Sequence, residues 1–172
     1  MTDITLTPSR LWKRMTSDQR QRAAHAFWSD PDATDYQVAA AFFIAQQKKF
    51  RPKTVIGLDL DRKAKHLATV AAVPDQIAAR ALITYHLAEQ RPMMGAFLDA
   101  LGIAHENGLI QEENIKPDAA KIRGAIEKIS TEFPKEDVQI YLNTLLVQDP
   151  ETWGALRDSV ESLEESGLGA RG

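Results

Sequence analysis

Two apolar segments in the middle of the chain, residues 74–89 and 92–102, constrain the fold more than any other feature of the sequence. Each segment begins at a proline, a residue favoured at the first position of a helix. Apolar side chains recur every three or four residues along both segments, which is the period of one helix face. Gly102 follows as a typical helix C-terminal residue. The pattern predicts a core hairpin of two helices.

Similar proline breaks between helices recur along the chain. Prolines 31, 92 and 150 each separate two predicted helices, at intervals of about 60 residues. We therefore expect an all-α fold, a compact bundle of packed helical hairpins with eight to nine helices. It would form a single domain over residues 1–165, with a frayed tail at 166–172. The spacing also suggests a degenerate helical repeat, although proline-initiated helices of similar length give such spacing by chance.

The chain contains no cysteine. This excludes a disulfide framework, a thiolate zinc site and a cysteine nucleophile. The longest apolar run, residues 38–45, is far shorter than the roughly 18 residues that span a bilayer. The first residues do not pair a basic stretch with an apolar one, so we expect no secretory signal. These features predict a cytoplasmic protein that does not interact with a membrane.

The same apolar run lies within a predicted helix at about residues 33–48. A helix that is apolar on nearly all sides is expected to be buried on nearly all sides. A buried strand is the alternative, but the alanines and the length of the segment favour a helix. We therefore expect this helix to lie inside the core.

Charge is distributed unevenly along the sequence. Residues 1–66 hold 12 basic and 7 acidic side chains, a balance of +5, whereas residues 67–172 hold 9 and 17, a balance of −8. The basic side chains cluster in segment 48–65, together with Phe50. The members of this basic patch are Lys48, Lys49, Arg51, Lys53, Arg62, Lys63 and Lys65. They could neutralise phosphates while Phe50 stacks on a base, or they could form a solvated helix edge with Phe50 in the core.

The proline break between the two central helices predicts a ligand-binding groove. The candidate residues of this groove are His86, Arg91, Met93, Met94 and His105. Methionines suit adaptable binding surfaces, but at helical spacing they are more often part of a core. His86 and Glu89 supply at most two metal ligands where zinc needs three or four, so we expect no metal site and no cofactor.

No nucleophile, base and orienting group occur at a recognisable spacing. The best functional interpretation is therefore a non-catalytic interaction protein that binds a protein segment or a second copy of itself. Attraction between its basic and acidic halves would give a head-to-tail contact. A nucleic-acid or acidic-ligand binder using segment 48–65 is the first alternative. The second is an enzyme whose site only the fold assembles, from His86, Arg91, His105 and Glu106.

Overall fold

The computed structural model describes residues 6–161, and within this range most of the chain is helical and very little of it is strand. The predicted all-α fold class is confirmed. The elements are α1 (Pro8–Arg14), α2 (Ser17–Ser29), a 3₁₀ turn (Pro31–Ala33), α3 (Thr34–Lys48), α4 (Pro52–Ile56), α5 (Leu60–Thr69), α6 (Asp75–Glu89), α7 (Arg91–Leu101), β1 (His105–Glu106), β2 (Leu109–Ile110), α8 (Ala119–Glu132) and α9 (Lys135–Gln148). Residues 156–161 are also helical.

The chain divides into two compact units, Met1–Glu89 and Gln90–Gly172. The boundary falls at the break between the two central helices, so α6 belongs to the first unit and α7 to the second. A single domain over residues 1–165 stays a prediction, and the predicted tail at 166–172 lies outside the described residues. None of the helices within residues 6–161 has the length and hydropathy required to cross a membrane.

Local sequence signals place the helix ends. The Thr16 hydroxyl accepts a hydrogen bond from the Gln19 backbone N–H at 3.0 Å, and the Gln19 side chain accepts one from the Thr16 N–H at 2.9 Å. This reciprocal pair satisfies two of the donors left free at the start of a helix. Asp59 caps α5 in a similar way through the Arg62 N–H. Gly102 ends α7 with a φ of 71°, a left-handed conformation that favours glycine.

The core of the first unit is built around α2, which packs on α5 and α6. Its largest fully buried side chains come from five helices: Leu11, Trp12, Phe27, Ile44, Leu67, Leu82 and Tyr85. Asp30, which precedes the 3₁₀ turn, receives the Arg80 guanidinium at 3.0 Å and thereby links the start of α3 to α6. The apolar face predicted for α6 is buried as expected.

The core of the second unit forms where α7 packs on α8. The Phe97 ring lies edge-on to Tyr141, with the ring centroids 5.6 Å apart, and 6.0 Å from Trp153. Such edge-on aromatic pairs add specific geometry to apolar burial. Burial raises the pKa of the Tyr141 hydroxyl well above its ordinary value.

Helix α3 differs from its predicted position inside the core. Its buried face consists of small residues and one isoleucine, namely Ala40, Ala41, Ile44 and Ala45. The opposite face is open, with Val38 exposed to 41% and Phe42 to 59%. The prediction of burial on nearly all sides was wrong because composition shows how apolar a helix is and not how many neighbours cover it.

A short β-hairpin with an Asn-Gly turn follows α7. Asn107 and Gly108 have φ values of 51° and 89°, and positive φ at both central residues is the requirement of a type I′ hairpin turn. The paired residues are His105 with Ile110 and Glu106 with Leu109. Each pair places its two side chains on the same face of the hairpin.

Candidate interaction site

An exposed aromatic depression lies where α3 passes into α4. Its lining includes Phe42, Phe43, Phe50 and Pro52, around a volume of about 500 Å³. Val38 lies one turn before Phe42 on the same exposed helix face. We call these five residues the docking surface. Large apolar side chains grouped in this way on a surface are typical of interaction sites.

The backbone between the two helices explains why Phe50 contributes to this surface. Lys49 ends α3 with a φ of 59°, a left-handed conformation, and the Phe50 N–H returns to the Ala45 carbonyl at 2.9 Å. Arg51 is extended before Pro52 begins α4, as the restriction on a residue before proline requires. The chain thus reverses sharply and leaves the Phe50 ring 42% exposed.

Cations border the docking surface. Lys48, Lys49, Arg51 and Lys53 are all exposed around the α3–α4 turn. Their field extends to α5, where the His66 ring lies edge-on to Phe50 with 5.5 Å between centroids. Partial burial, followed by the charges of Lys48 and Lys65, lowers the pKa of His66 below its usual value. Lys48 and Lys65 are distant in the sequence, yet both lower the pKa of the same histidine.

The other two members of the basic patch have partners of their own. The Lys63 ammonium lies 5.4 Å from the centre of the Trp28 ring, within the range of a cation–π contact. Arg62 Nε lies 3.5 Å from an oxygen of Asp59, three residues earlier. The contacts of Lys63 and Arg62 are those expected of a solvated helix edge on α5. The same interpretation placed Phe50 in the core, but Phe50 is exposed.

The predicted groove residues divide between the two units. His86 is buried in α6 of the first unit, with Nδ1 2.8 Å from the Leu82 carbonyl. Met93 is fully buried within α7 of the second unit. Arg91, Met94 and His105 all contact or border the β-hairpin, and Arg91 donates a hydrogen bond to the Asn107 carbonyl at 2.9 Å.

His105 holds the hairpin against α7. Its Nδ1 accepts a hydrogen bond from the Gly108 N–H at 3.0 Å, so Nε2 carries the proton and donates to Asp99 at 2.7 Å. Its ring packs so closely on Gly95 that a Cβ there would lie 3.2 Å from the ring. Because both ring nitrogens are engaged in this form, the pair positions the hairpin and offers no free base. Sequence reasoning missed Asp99 because its partner His105 lies beyond the end of α7, where the helix period no longer applies.

One exposed leucine and three exposed glutamates lie on the β-hairpin and on the connection just after it. Leu109 is 43% exposed, and Glu106 is its direct cross-strand neighbour. Glu112 and Glu113, both exposed, follow on the same connection. We call these four residues the hairpin tip. These carboxylates, which lie close to Leu109 in the sequence, are opposite in charge to the cations that border the docking surface.

Neither metal-binding geometry nor a known relative assigns a function to these surfaces. Within residues 6–161, no three His, Asp or Glu side chains are grouped closely enough to hold a metal ion. Comparisons with protein-family models, curated proteins and solved structures found no match to this chain. The functional argument therefore depends on the surfaces themselves.

Proposed function

We propose that this protein is a non-catalytic interaction protein that binds a second copy of itself. The docking surface of one copy receives the hairpin tip of the other. The observation that carries the proposal is the pairing of an exposed aromatic depression, bordered by cations, with an exposed leucine bordered by acids. The first lies in unit Met1–Glu89 and the second in unit Gln90–Gly172.

Apolar burial would supply most of the affinity. Leu109 is an exposed side chain of a size that the 500 Å³ depression accommodates. Burying a leucine side chain contributes about 1.5–3 kcal/mol, and contact with the rings of Phe42 and Phe50 would remove further apolar area from water. A few central anchors of this kind carry most of the energy of a protein interface.

Charge supports the same orientation. The first unit carries 13 basic and 9 acidic side chains, a balance of +4, and the second carries 8 and 15, a balance of −7. The cations around the α3–α4 turn would face Glu106, Glu112 and Glu113 of the second copy. Exposed pairs of this type contribute modestly to affinity, but they accelerate association and exclude the reversed orientation.

The two surfaces are different patches, so the contact is heterologous. Each copy can donate its hairpin tip to one neighbour and accept the tip of another. Such a contact produces rings or open chains of subunits and does not stop at a symmetric dimer. Self-association should therefore increase continuously with concentration unless a ring closes.

Complementation between two variants tests the proposal. Phe42→Asp blocks the docking surface and Leu109→Asp blocks the hairpin tip, and both positions are exposed, so both variants should fold. Each variant alone should sediment as a monomer, while an equimolar mixture should form a dimer through the one remaining pair of intact surfaces. Lys128→Glu, at an exposed position on α8, is the matched control and should associate like the unaltered protein.

Salt and nucleic acid separate this proposal from its alternative. Association should weaken as salt rises from about 0.05 to 1 M, because the screening length falls to about 3 Å. A protein that stays monomeric at low salt and high concentration would overturn the proposal, as would a mixture that behaves like its two components. Tight binding of an oligothymidylate that Lys49→Glu and Phe50→Ala both abolish would instead assign the surface to single-stranded nucleic acid.

A further inference from the structure

A larger cavity lies elsewhere in the first unit and takes no part in the proposed self-association. Its volume is about 670 Å³, and it lies between α1, α2, α5 and the α5–α6 connection. Its apolar lining includes the Trp12 ring, which is only 2% exposed, together with Ala68 and Val70. A concave site with an apolar wall and a few polar groups has the character of a small-molecule site.

Three cations from three helices line the same cavity. They are Lys13 on α1, Arg20 on α2 and Lys65 on α5. Arg20 is held in place because its Nη1 donates to the carbonyls of Lys13 at 3.2 Å and Met15 at 3.1 Å. Asp61 also lines the cavity, and its carboxylate lies 3.8 Å from His25 Nε2. The lining therefore has an excess of positive charge beside an aromatic wall.

Two buried donors of this lining lack acceptors. Trp12 Nε1 and Arg20 Nε are both shielded from solvent and make no hydrogen bond to any residue in the part of the chain that the structure describes. A buried donor without a partner costs about 1–3 kcal/mol, so two of them beside one cavity require an explanation. Ala72, also on the cavity edge, has a φ of 54°, which is uncommon for a residue other than glycine.

We infer that this cavity binds a small aromatic anion. The flat apolar part would pack on Trp12, Ala68 and Val70, and the anionic group would lie among Lys13, Arg20 and Lys65. Both unpartnered N–H groups are shielded from solvent, so the anion would reach them only if the Trp12 and Arg20 side chains move. Trp12, Lys13 and Arg20 belong to neither the docking surface nor the hairpin tip, whereas Lys65 also belongs to the basic patch. Lys13→Glu is therefore the variant that separates this inference from self-association.

The probe for this site is 1-anilinonaphthalene-8-sulfonate, an aromatic sulfonate that fluoresces when it is shielded from water. It should bind at one saturable site, and Lys13→Glu or Lys65→Glu should each weaken binding by roughly three- to tenfold, as reversal of a partly screened charge predicts. Both lysines are exposed, so both variants should fold. Lys128→Glu is the matched control and should bind like the unaltered protein.

Two further measurements locate the probe. The indole N–H resonance of Trp12, assigned by its loss in Trp12→Phe, should shift on binding while that of Trp153 stays fixed. Phe42→Asp should leave binding unchanged, because the docking surface is a separate aromatic site bordered by other cations. Benzoate and phenyl phosphate should displace the probe more effectively than inorganic phosphate.

Three results would overturn the inference. The first is unchanged affinity in both Lys13→Glu and Lys65→Glu. The second is a Trp12 resonance that does not move at saturation. The third is loss of the saturable site in Phe42→Asp, which would place the probe on the docking surface.

Discussion

Helices α3 and α6 are both fifteen residues long, both rich in apolar side chains and both part of the first unit. They nevertheless use these side chains in opposite ways. Helix α6 buries its large residues, including Ile77, Leu82 and Tyr85, whereas α3 buries mainly alanines and exposes Val38 and Phe42. Similar composition thus gives a core helix in one case and a surface helix in the other.

The difference lies in the neighbours of each helix. Helix α6 packs against α1, α2 and α3, while α3 makes more contacts with the short helix α4 than with any other element. Alanines on the buried face of α3 allow close approach but leave its bulky residues on the uncovered side. An apolar face that remains uncovered in this way is informative about binding, which a buried face is not.

The largest expected effect comes from removing one aromatic ring from each helix. Tyr85→Ala removes a fully buried ring and should lower the free energy of unfolding by about 3–5 kcal/mol. Phe42→Ala should change it by less than about 0.5 kcal/mol, since most of that ring is already in water. Urea unfolding followed by circular dichroism measures both. Equal losses would mean that α3 is a core helix after all.

Adding volume tests the same contrast from the other side. Ala81→Leu on α6 should cost about 1–3 kcal/mol, because the residue is completely buried and its neighbours have no room to yield. Ala39→Leu on the exposed face of α3 should stay within about 0.5 kcal/mol. Thermal unfolding of the two variants gives the comparison, and a destabilised Ala39→Leu would contradict it.

An ion pair between Arg80 and Asp30 connects α6 to the residue that precedes the 3₁₀ turn and α3. Asp30→Asn removes the charge on a pair whose side chains are 27% and 16% exposed, so we expect a loss of about 1 kcal/mol. Arg80→Gln should not add its full effect in the double variant, because both changes remove one interaction. A double-mutant cycle by chemical denaturation measures this coupling, and full additivity would show that the contact contributes nothing.

The smallest expected effect is on the pKa of His66, whose ring contacts Phe50 of the docking surface. Its pKa is lowered by burial and by Lys48 and Lys65, so Lys48→Glu should raise this pKa in an NMR titration and Lys128→Glu should not. Since the folded state binds this proton less readily than the unfolded state, stability should fall as pH drops below about 6.5 and level off below the folded-state pKa. Lys48→Glu should reduce that slope. An unchanged pKa would show that Lys48 lies too far away to act on His66.

Local chemistry made much of the fold predictable. The Thr16–Gln19 capping box, the Asp59 cap and the Gly102 terminus depend on residues within a few positions of each other, so the sequence determines them almost directly. The Asn-Gly turn is similar, although the strands on each side of it are too short to show a periodic signal.

The candidate sites were less predictable because they depend on distant residues. The basic patch was identified from its local density, yet sequence could not show that Lys63 lies over Trp28 while Phe50 remains exposed. Of the residues predicted to line a groove, the structure places Arg91, Met94 and His105 at the β-hairpin. The prediction did not include Asp99, which forms a hydrogen bond with His105. The cavity at Trp12 joins three helices and has no contiguous signal at all.

By itself the sequence determined the helical class, most helix boundaries and the uneven charge of the two halves. These follow from backbone preference, capping and composition, which act within a few residues or simply add along the chain. Only the tertiary structure decided which apolar face stays uncovered, because coverage depends on which helices pack together. For the same reason α6 is a core helix while α3, equally apolar, leaves Val38 and Phe42 exposed.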